Sequence, residues 1–354
     1  MYKSRVLFFI NSDVGGAERM SVLISKMLIK AGLEVKYVII KNKENAASII
    51  DFLPMGHQVV VVEAKNHFDK LKQFYHAIKE IKPDVVFSSH YSINDKVLLL
   101  KPFFRKVRFV IRSDNYYYTF STAGKAIIQM TYRMADVMIA QTPEMKDEFV
   151  EYGVMPERKV YALENPVDKE NIDTKVAKAA SPYPNDGKKH IVAVGRFAYQ
   201  KGYDYLVDAF AQLLKRNQNI DLYIVGAITE KWKPEYERIR NMIQNLGIEN
   251  EVHCVGYQDN PYRYVKYANC FVLSSRWEGL PNVLAEALYL KTPVAAFKCI
   301  PIIERMLRDG VDGFLAEKEN AISLAKAVEN ALGLGRTSPI YKGASEDDFV
   351  KLFK

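Results

Sequence analysis

Two glutamates flanking a Gly-Leu-Pro turn are the residues of this chain best suited to holding a polyol. Glu278 and Glu286 have seven residues between them. A carboxylate accepts two hydroxyl hydrogen bonds at once, which suits it to a vicinal diol. The intervening Gly279-Leu280-Pro281-Asn282-Val283 reads as a turn entering a helix. Pro281 fits the first helical turn, where its missing N–H is not needed, and Gly279 lets backbone approach a ligand. A helix start gathers unpaired amides at the positive end of the helix dipole, so it attracts phosphate. At about 1.5 Å of rise per residue, Glu286 is expected about two turns inside the helix, roughly a nucleoside's length from the loop. One acid would hold a ribose and the other a sugar. Either glutamate alone also reads as an ordinary helix surface residue, and it is the pair around the turn that points to a site.

Two further loops carry matching chemistry. Gly195-Arg196-Phe197-Ala198-Tyr199-Gln200-Lys201-Gly202 follows an apolar run and places two cations five residues apart. Arg196 would grip a diphosphate with a bidentate fork and Lys201 as a point charge. Near the amino end, Asn11-Ser12-Asp13-Val14-Gly15-Gly16-Ala17-Glu18-Arg19 lacks the Gly-x-Gly-x-x-Gly spacing of a nicotinamide site, but Gly15 and Gly16 would let amides meet a phosphate or a sugar. The chain has no Asp-x-Asp pair of the kind that holds a catalytic metal at a diphosphate.

These loops need strands before them and helices after them. Apolar runs at 5–10, 34–40, 58–62, 84–88, 107–111, 137–140 and 160–163 alternate with helical stretches such as 17–31 and 68–81. A second alternating series runs through 190–194, 222–225, 252–255, 270–274, 293–297 and 313–315. Alternation of this kind predicts α/β doubly wound parallel sheets with ligands outside the carboxyl ends of the strands. The turn Asn165-Pro166-Val167-Asp168 and the Ala-, Lys-, Ser-, Pro- and Asp-rich residues after it mark a boundary. The expected organisation is a first domain over 1–168, a linker over 169–188, a second domain over 189–335 and a tail helix over 336–354.

The composition, 49% hydrophobic and 26% charged over 354 residues, is that of a globular chain of two domains. A net charge of +8 suits nucleic acid, anionic lipid or phosphorylated small molecules and does not choose among them. Cys254, Cys270 and Cys299 have no paired spacing and read as buried thiols in a reducing cytoplasm. No apolar run reaches the length of a membrane span.

The quoted segments, Gly15-Gly16-Ala17-Glu18-Arg19, Asn165-Pro166-Val167-Asp168, Gly195-Arg196 with Lys201-Gly202, and Glu278-Gly279-Leu280-Pro281 with Glu286, together resemble the retaining nucleotide-sugar glycosyltransferases of family four. The resemblance covers nearly the whole chain. It implies the GT-B fold: two facing Rossmann-like domains, the donor held mainly by the second and the acceptor by the first, with a crossing helix at the end. It assigns Glu286 to the ribose, Glu278 to the donor sugar, Arg196 and Lys201 to the diphosphate, and the amides after Gly279 to phosphates and sugar. The base contact falls near Gly256-Tyr257-Gln258. The sugar-touching histidine of the family is absent; Asp114, in Arg112-Ser113-Asp114-Asn115, occupies its place, and His90 stands one residue out of register with a second histidine motif.

The implied reaction is metal-independent transfer, with retention, from a nucleotide-sugar, expected to be UDP-linked, to a glycan or lipid-linked hydroxyl in surface-polysaccharide synthesis. The nucleotide-sugar is a substrate, and no cofactor or metal is implied. A nucleotide-sugar epimerase, or a non-enzymatic protein that binds nucleic acid or an anionic surface, remains a rival; no basic, aromatic-interleaved tract belongs to a known nucleic-acid module. Peripheral contact with the inner face of the cell membrane is suggested by Lys65, Lys70, Lys72 and Lys79 among Phe68, Leu71, Phe74, Tyr75 and Ile78, followed by the basic-aromatic run 101–108. The same apolar residues suit the core face of a sheet-covering helix, so both readings stay open.

Overall fold

The computed structural model describes residues 4–13, 15–41, 49–338 and 341–354, so Val14 of the glycine-rich loop lies outside the described residues. The chain forms two compact units, Met1–Pro166 with Gly343–Lys354, and Val167–Lys342.

The first unit holds β1 (Arg5–Asn11), α1 (Gly16–Lys30), β2 (Glu34–Ile40), β3 (Val59–Val62), α2 (His67–Ile81), β4 (Val85–Ser88), α3 (Tyr91–Leu98), β5 (Arg108–Arg112), α4 (Thr122–Thr131), β6 (Val137–Ala140), α5 (Pro143–Glu151) and β7 (Val160–Ala162). Its strands form a parallel sheet in the order β3-β2-β1-β4-β5-β6-β7. Val6 to Ile10 are all buried, as a strand covered on both faces requires.

The second unit holds α6 (Lys169–Ala177), β8 (Lys189–Val194), α7 (Tyr203–Leu214), β9 (Ile220–Val225), α8 (Lys233–Leu246), β10 (Val252–Gly256), α9 (Tyr262–Tyr267), β11 (Cys270–Leu273), α10 (Asn282–Tyr289), β12 (Val294–Phe297), α11 (Pro301–Met306), β13 (Gly313–Ala316) and α12 (Ala321–Ala331). Its parallel sheet has the order β10-β9-β8-β11-β12-β13. In each sheet the strand order reverses beside the first strand, between β1 and β4 and between β8 and β11. The crevice at such a reversal is where doubly wound sheets bind ligands.

The chain returns to the first unit through α13 (Glu346–Lys351), which begins with a capping box from Ser345 and Asp348. Phe349, Val350, Leu352 and Phe353 enter that unit's core, and the Phe353 ring lies 5.4 Å from Phe87 and 6.4 Å from Phe8. Gly343 makes the return possible: at φ +69, a Cβ there would stand 2.2 Å from the Asn165 carbonyl oxygen.

The stretch read as a linker over 169–188 is different. Its first half is α6, capped by Asp168, with Ile172 and Val176 buried against Tyr262 of α9. Lys175 donates to the Asp259 carbonyl at 2.6 Å, and Asn260 donates to the Lys175 carbonyl at 2.7 Å. Two apolar residues at i and i+4 suffice to bury one face of a short helix, even in an Ala- and Lys-rich segment.

Candidate active site

At the β8/β11 reversal the loop 195–202 and the loop 274–281 are bound to each other. Lys201 Nζ donates to Glu278 Oε1 at 2.7 Å, and both side chains are largely buried. Ser275 Oγ donates to the same oxygen at 2.6 Å, whereas among the described residues Oε2 has a long contact from Gln200 at 3.5 Å. A carboxylate has about four acceptor directions, so Oε2 keeps capacity for a ligand hydroxyl.

The backbones of the two loops are joined as well. Arg276 N–H donates to the Gln200 carbonyl at 2.8 Å, Gln200 Nε2 to the Trp277 carbonyl at 2.8 Å, and Ser274 Oγ to the Lys201 carbonyl at 2.8 Å. The close approach depends on Gly202, with φ +60 and the Ser274 carbonyl oxygen 2.2 Å from where a Cβ would be. Gly226 likewise leaves 1.8 Å between a Cβ and the Gly195 carbonyl oxygen, so the ends of β9 and β8 abut only because neither a side chain nor a bulge intervenes. Gly279, the glycine expected to let backbone approach a ligand, does not have a positive φ; the glycines that let these loop backbones meet are Gly202 and Gly226.

Arg196 is not brought to Lys201. It is exposed, and its guanidinium lies 5.2 Å from the centroid of the Trp232 ring, which Lys231 also approaches at 4.9 Å. In place of the two converging cations expected for a diphosphate clamp, the structure has one buried cation paired with Glu278 and one exposed cation resting on an indole.

Helix α10 starts one residue later than expected, with Pro281 as the cap residue and no side-chain cap. Leu280 and Pro281 are buried, and Gly279, Asn282 and Val283 are half-buried. Glu286 is the fifth residue of α10, a little over one turn inside rather than two. The Tyr262 hydroxyl donates to its Oε1 at 3.4 Å, and Asn171 of α6 donates to that hydroxyl at 3.4 Å. At the end of β10, Gly256 has φ +70; Tyr257 after it is exposed, while Gln258 folds back on the Val255 carbonyl at 3.1 Å.

The first unit gathers a different set at its own reversal. Gly15 caps α1, and a Cβ on it would stand 2.5 Å from Glu18 Oε2, so this glycine makes room for a carboxylate. Glu18 is buried and accepts from Asn11 Nδ2 at 3.3 Å. Gly16 is the first residue of α1. Asp114 follows β5, and its Oδ1 is shielded from solvent without a hydrogen-bond partner among the described residues. Burial raises the Asp114 carboxyl above the ordinary range, against the pull of His90 and of Arg112. Burial raises Glu18 as well, again opposed by His90. Arg112 has no exposed surface and is held by Asn165; burial lowers its guanidinium to about 10, against the pull of Asp114. His90 caps α3, its Nδ1 accepting from the Ser92 N–H at 3.2 Å, so that nitrogen serves the fold.

The basic-aromatic segment separates into two parts. Phe74 and Ile78 are core residues, and Lys101 donates to the Val107 carbonyl at 2.7 Å, pairs with Asp136 and sits over the Phe109 ring, so Lys101 is a structural cation. Phe68 and Phe103 remain 80% and 70% exposed. Among the described residues no helix is long and apolar enough to cross a membrane. The thiols of Cys270 and Cys299 are buried and that of Cys254 half-buried, and all three cysteines are free.

The chain belongs to the glycosyltransferases of the GT-B type: residues 14–171 match the Glycosyltransferase Family 4 model and residues 176–342 the Glycosyl transferases group 1 model. It is similar to an uncharacterized glycosyltransferase of Methanocaldococcus jannaschii, 31% identical over 253 residues, a match spanning 66% of this chain and 60% of that protein. The amylovoran biosynthesis glycosyltransferase AmsD of Erwinia amylovora is 26% identical over 90% of this chain and 87% of its own length. Anabaena HepE, solved in complex with UDP and glucose, shares the fold with a TM-score of 0.77 at 18% identity, covering 99% of this chain and 94% of that one.

Proposed function

We propose that the protein transfers a sugar, with retention and without a metal, from a nucleotide-sugar to a hydroxyl of a glycan or lipid-linked acceptor in surface-polysaccharide synthesis. The donor is UDP-linked in this reading, which the UDP and glucose held by a protein of the same fold support. Assignment to polysaccharide synthesis is supported by the name of the Erwinia relative. The observation that carries the reading is the Lys201–Glu278 pair at 2.7 Å beside the start of α10, at the strand reversal.

In glycosyl transfer the bond from the anomeric carbon to the β-phosphate oxygen breaks while a bond from that carbon to the acceptor oxygen forms. The acceptor proton passes to the departing phosphate, and the products are UDP and the glycoside. Negative charge grows on the diphosphate as positive charge grows on the sugar, so the demand is for fixed positive potential at the phosphates. Lys201, Arg196 and the α10 dipole supply it, with no metal required by the charge balance. Glu278 Oε2 takes a donor-sugar hydroxyl, Glu286 the ribose, and Tyr257 stands where the base is selected. Gly15 and Gly16 line the sugar side of the first domain. Asp114 serves the sugar there in place of the family's histidine, His90 Nδ1 being engaged as a helix cap.

The test begins with thermal shift against a panel of nucleotide-sugars, since a ligand at 100 times its dissociation constant adds about 2.7 kcal/mol. The stabilising donor is then incubated with lipid-linked and soluble glycan acceptors in chelator, and the product linkage read by NMR. A UDP-sugar, an α-linked product from an α-linked donor and activity in chelator are expected. Conversion of the nucleotide-sugar without any acceptor would establish epimerase chemistry instead.

A further inference from the structure

Arg276 sits in the middle of the donor loop, and nothing in the reading above uses it. Its side chain is only 5% exposed. The guanidinium lies between two tyrosine rings, 3.8 Å from the centroid of Tyr199 and 4.7 Å from that of Tyr205. Nη1 donates to the Tyr199 carbonyl at 2.7 Å and Nη2 to Asp204 Oδ2 at 2.6 Å. Its own N–H donates to the Gln200 carbonyl. One residue of the loop 274–281 therefore reaches two parts of the other loop, the turn before Lys201 and the residue next to Lys201, and the first turn of α7 that follows it.

We infer that Arg276 is a positioning residue for the reaction, fixing the register between the loop that carries Lys201 and the loop that carries Glu278. The inference rests on the donor-site reading of that pair. Its geometry is specific to a guanidinium. A flat cation is needed to fill the slot between two rings while its two terminal nitrogens point to different partners. A lysine has the charge but neither the plane nor the fork. The Asp204 carboxylate is also shared with Arg238, 3.2 Å away, and Arg238 is held in turn by Glu235 at 2.7 Å. Asp204 is thus fixed from the α8 side, and Arg276 transmits that fixed point to the loop ending in Glu278.

The consequence is kinetic. Lys201 and Glu278 are side chains on two loops that no strand pairing holds together beyond Val192 and Phe271. A displacement of about 1 Å between a charge-stabilising group and the reacting centre costs on the order of 10²-fold in rate. Without the Arg276 side chain the loops lose its bonds to the Tyr199 carbonyl and to Asp204, and among the described residues they keep the backbone bond from the residue-276 N–H to the Gln200 carbonyl, Ser274 Oγ, Gln200 Nε2 and the Lys201–Glu278 pair as cross-links.

The experiment uses the full chain with three substitutions, Arg276→Gln, Arg276→Lys and Arg276→Ala, each first checked for native circular dichroism and thermal melting. Transfer kinetics are measured per folded molecule, and UDP affinity by calorimetry. Arg276→Gln and Arg276→Lys should each lower kcat on the order of 10²-fold while the donor KM moves less than about five-fold. Arg276→Ala opens a slot between Tyr199 and Tyr205, and guanidinium ion at low millimolar concentration should restore part of its kcat, whereas ammonium should not. Wild-type kcat per folded Arg276→Lys molecule, or equal rescue by ammonium, would overturn the inference. A wild type that transfers from no nucleotide-sugar overturns the donor-site reading itself, and the inference with it. An Arg276→Ala variant too unstable to assay leaves the Lys and Gln variants to decide.

Discussion

Replacing Lys201 with Met tests the Lys201–Glu278 pair most directly, because the structure makes its effects on stability and on rate separable. Met keeps the apolar stem that packs beside Gly195, whose Cβ position lies 3.1 Å from Lys201 Cε. It removes the charge that faces Glu278, a carboxylate only 8% exposed, leaving Oε1 with Ser275 alone. Removing one partner of a buried pair costs about 3 to 5 kcal/mol, since the other charge stays buried and uncompensated. For a unit the size of Val167–Lys342, at roughly 2 to 4 °C per kcal/mol, the melting temperature should fall by roughly 6 to 20 °C at neutral pH. Adding Glu278→Gln removes the orphaned charge, so the double variant should recover most of that loss. Turnover should not recover, because the charge that stabilises the departing diphosphate is gone; a kcat on the order of 10²- to 10³-fold below wild type is expected in both variants. Differential scanning calorimetry and single-turnover assays at saturating donor read the two quantities. A Lys201→Met variant with kcat within three-fold of wild type, or a double variant that regains turnover together with stability, would show the pair to be structural and refute the reasoning.

The ribose assignment predicts that Glu286→Gln weakens UDP binding, and that Tyr262→Phe, which removes only the hydroxyl reaching Glu286, raises the UDP dissociation constant by roughly 2- to 12-fold, the equivalent of one ordinary hydrogen bond. Unchanged affinity in both, by calorimetry, removes Glu286 from the site. The raised carboxyl of Glu18 sets a pH dependence. A folded-state pKa above the unfolded one means the native state keeps a proton that the unfolded chain has released, so this residue costs stability as pH rises from the ordinary carboxylate range through the raised value. Glu18→Gln should therefore melt higher than wild type at pH 8, with the difference vanishing near pH 4; a difference independent of pH contradicts the assignment. The chain has two tryptophans, and in a Trp277→Phe background the remaining Trp232 should change its fluorescence as UDP draws Arg196 off the ring. Binding seen by calorimetry with a silent Trp232 would mean that Arg196 does not move to the diphosphate.

Both sheets were legible because parallel strands covered on both faces must be apolar runs, and Val6 to Ile10, Val137 to Ala140 and Phe271 to Leu273 are such runs. The paired acids and the cations stood out because their types and spacing suit a polyol and a phosphate, and the structure brings one of those cations, Lys201, against one of those acids, Glu278. What was not legible depends on contacts far apart in sequence. Gly202 and Gly226 are required by carbonyls of Ser274 and Gly195, and only the pairing of β8 with β9 and β11 reveals which loops abut. Arg276 looks like any loop cation until Asp204, 72 residues earlier, is placed against it. The α6 helix had a signal in Ile172 and Val176, four residues apart, but the surrounding composition concealed it.

The charges of the donor loops explain why the cations there are treated so differently. Lys201 is matched by Glu278 and Arg276 by Asp204, so each buried cation has a carboxylate within 2.7 Å. Burying a charge without a partner is costly, so a cation buried in the fold needs an acid beside it. Arg196 is under no such demand because it is exposed, and an indole face holds it at small cost. When a diphosphate arrives, Lys201 can share its three donors between Glu278 and a phosphate oxygen without leaving the acid, whereas Arg196 must leave the ring to engage. In the proposed reaction the buried pair would have little to rearrange as charge develops, and the exposed arginine would contribute to capture of the donor. A site built from two exposed cations would bind a diphosphate as readily but would have to order both loops in each turnover. A site built from two buried ones would need a second acid and would lose the net positive potential that draws the donor in.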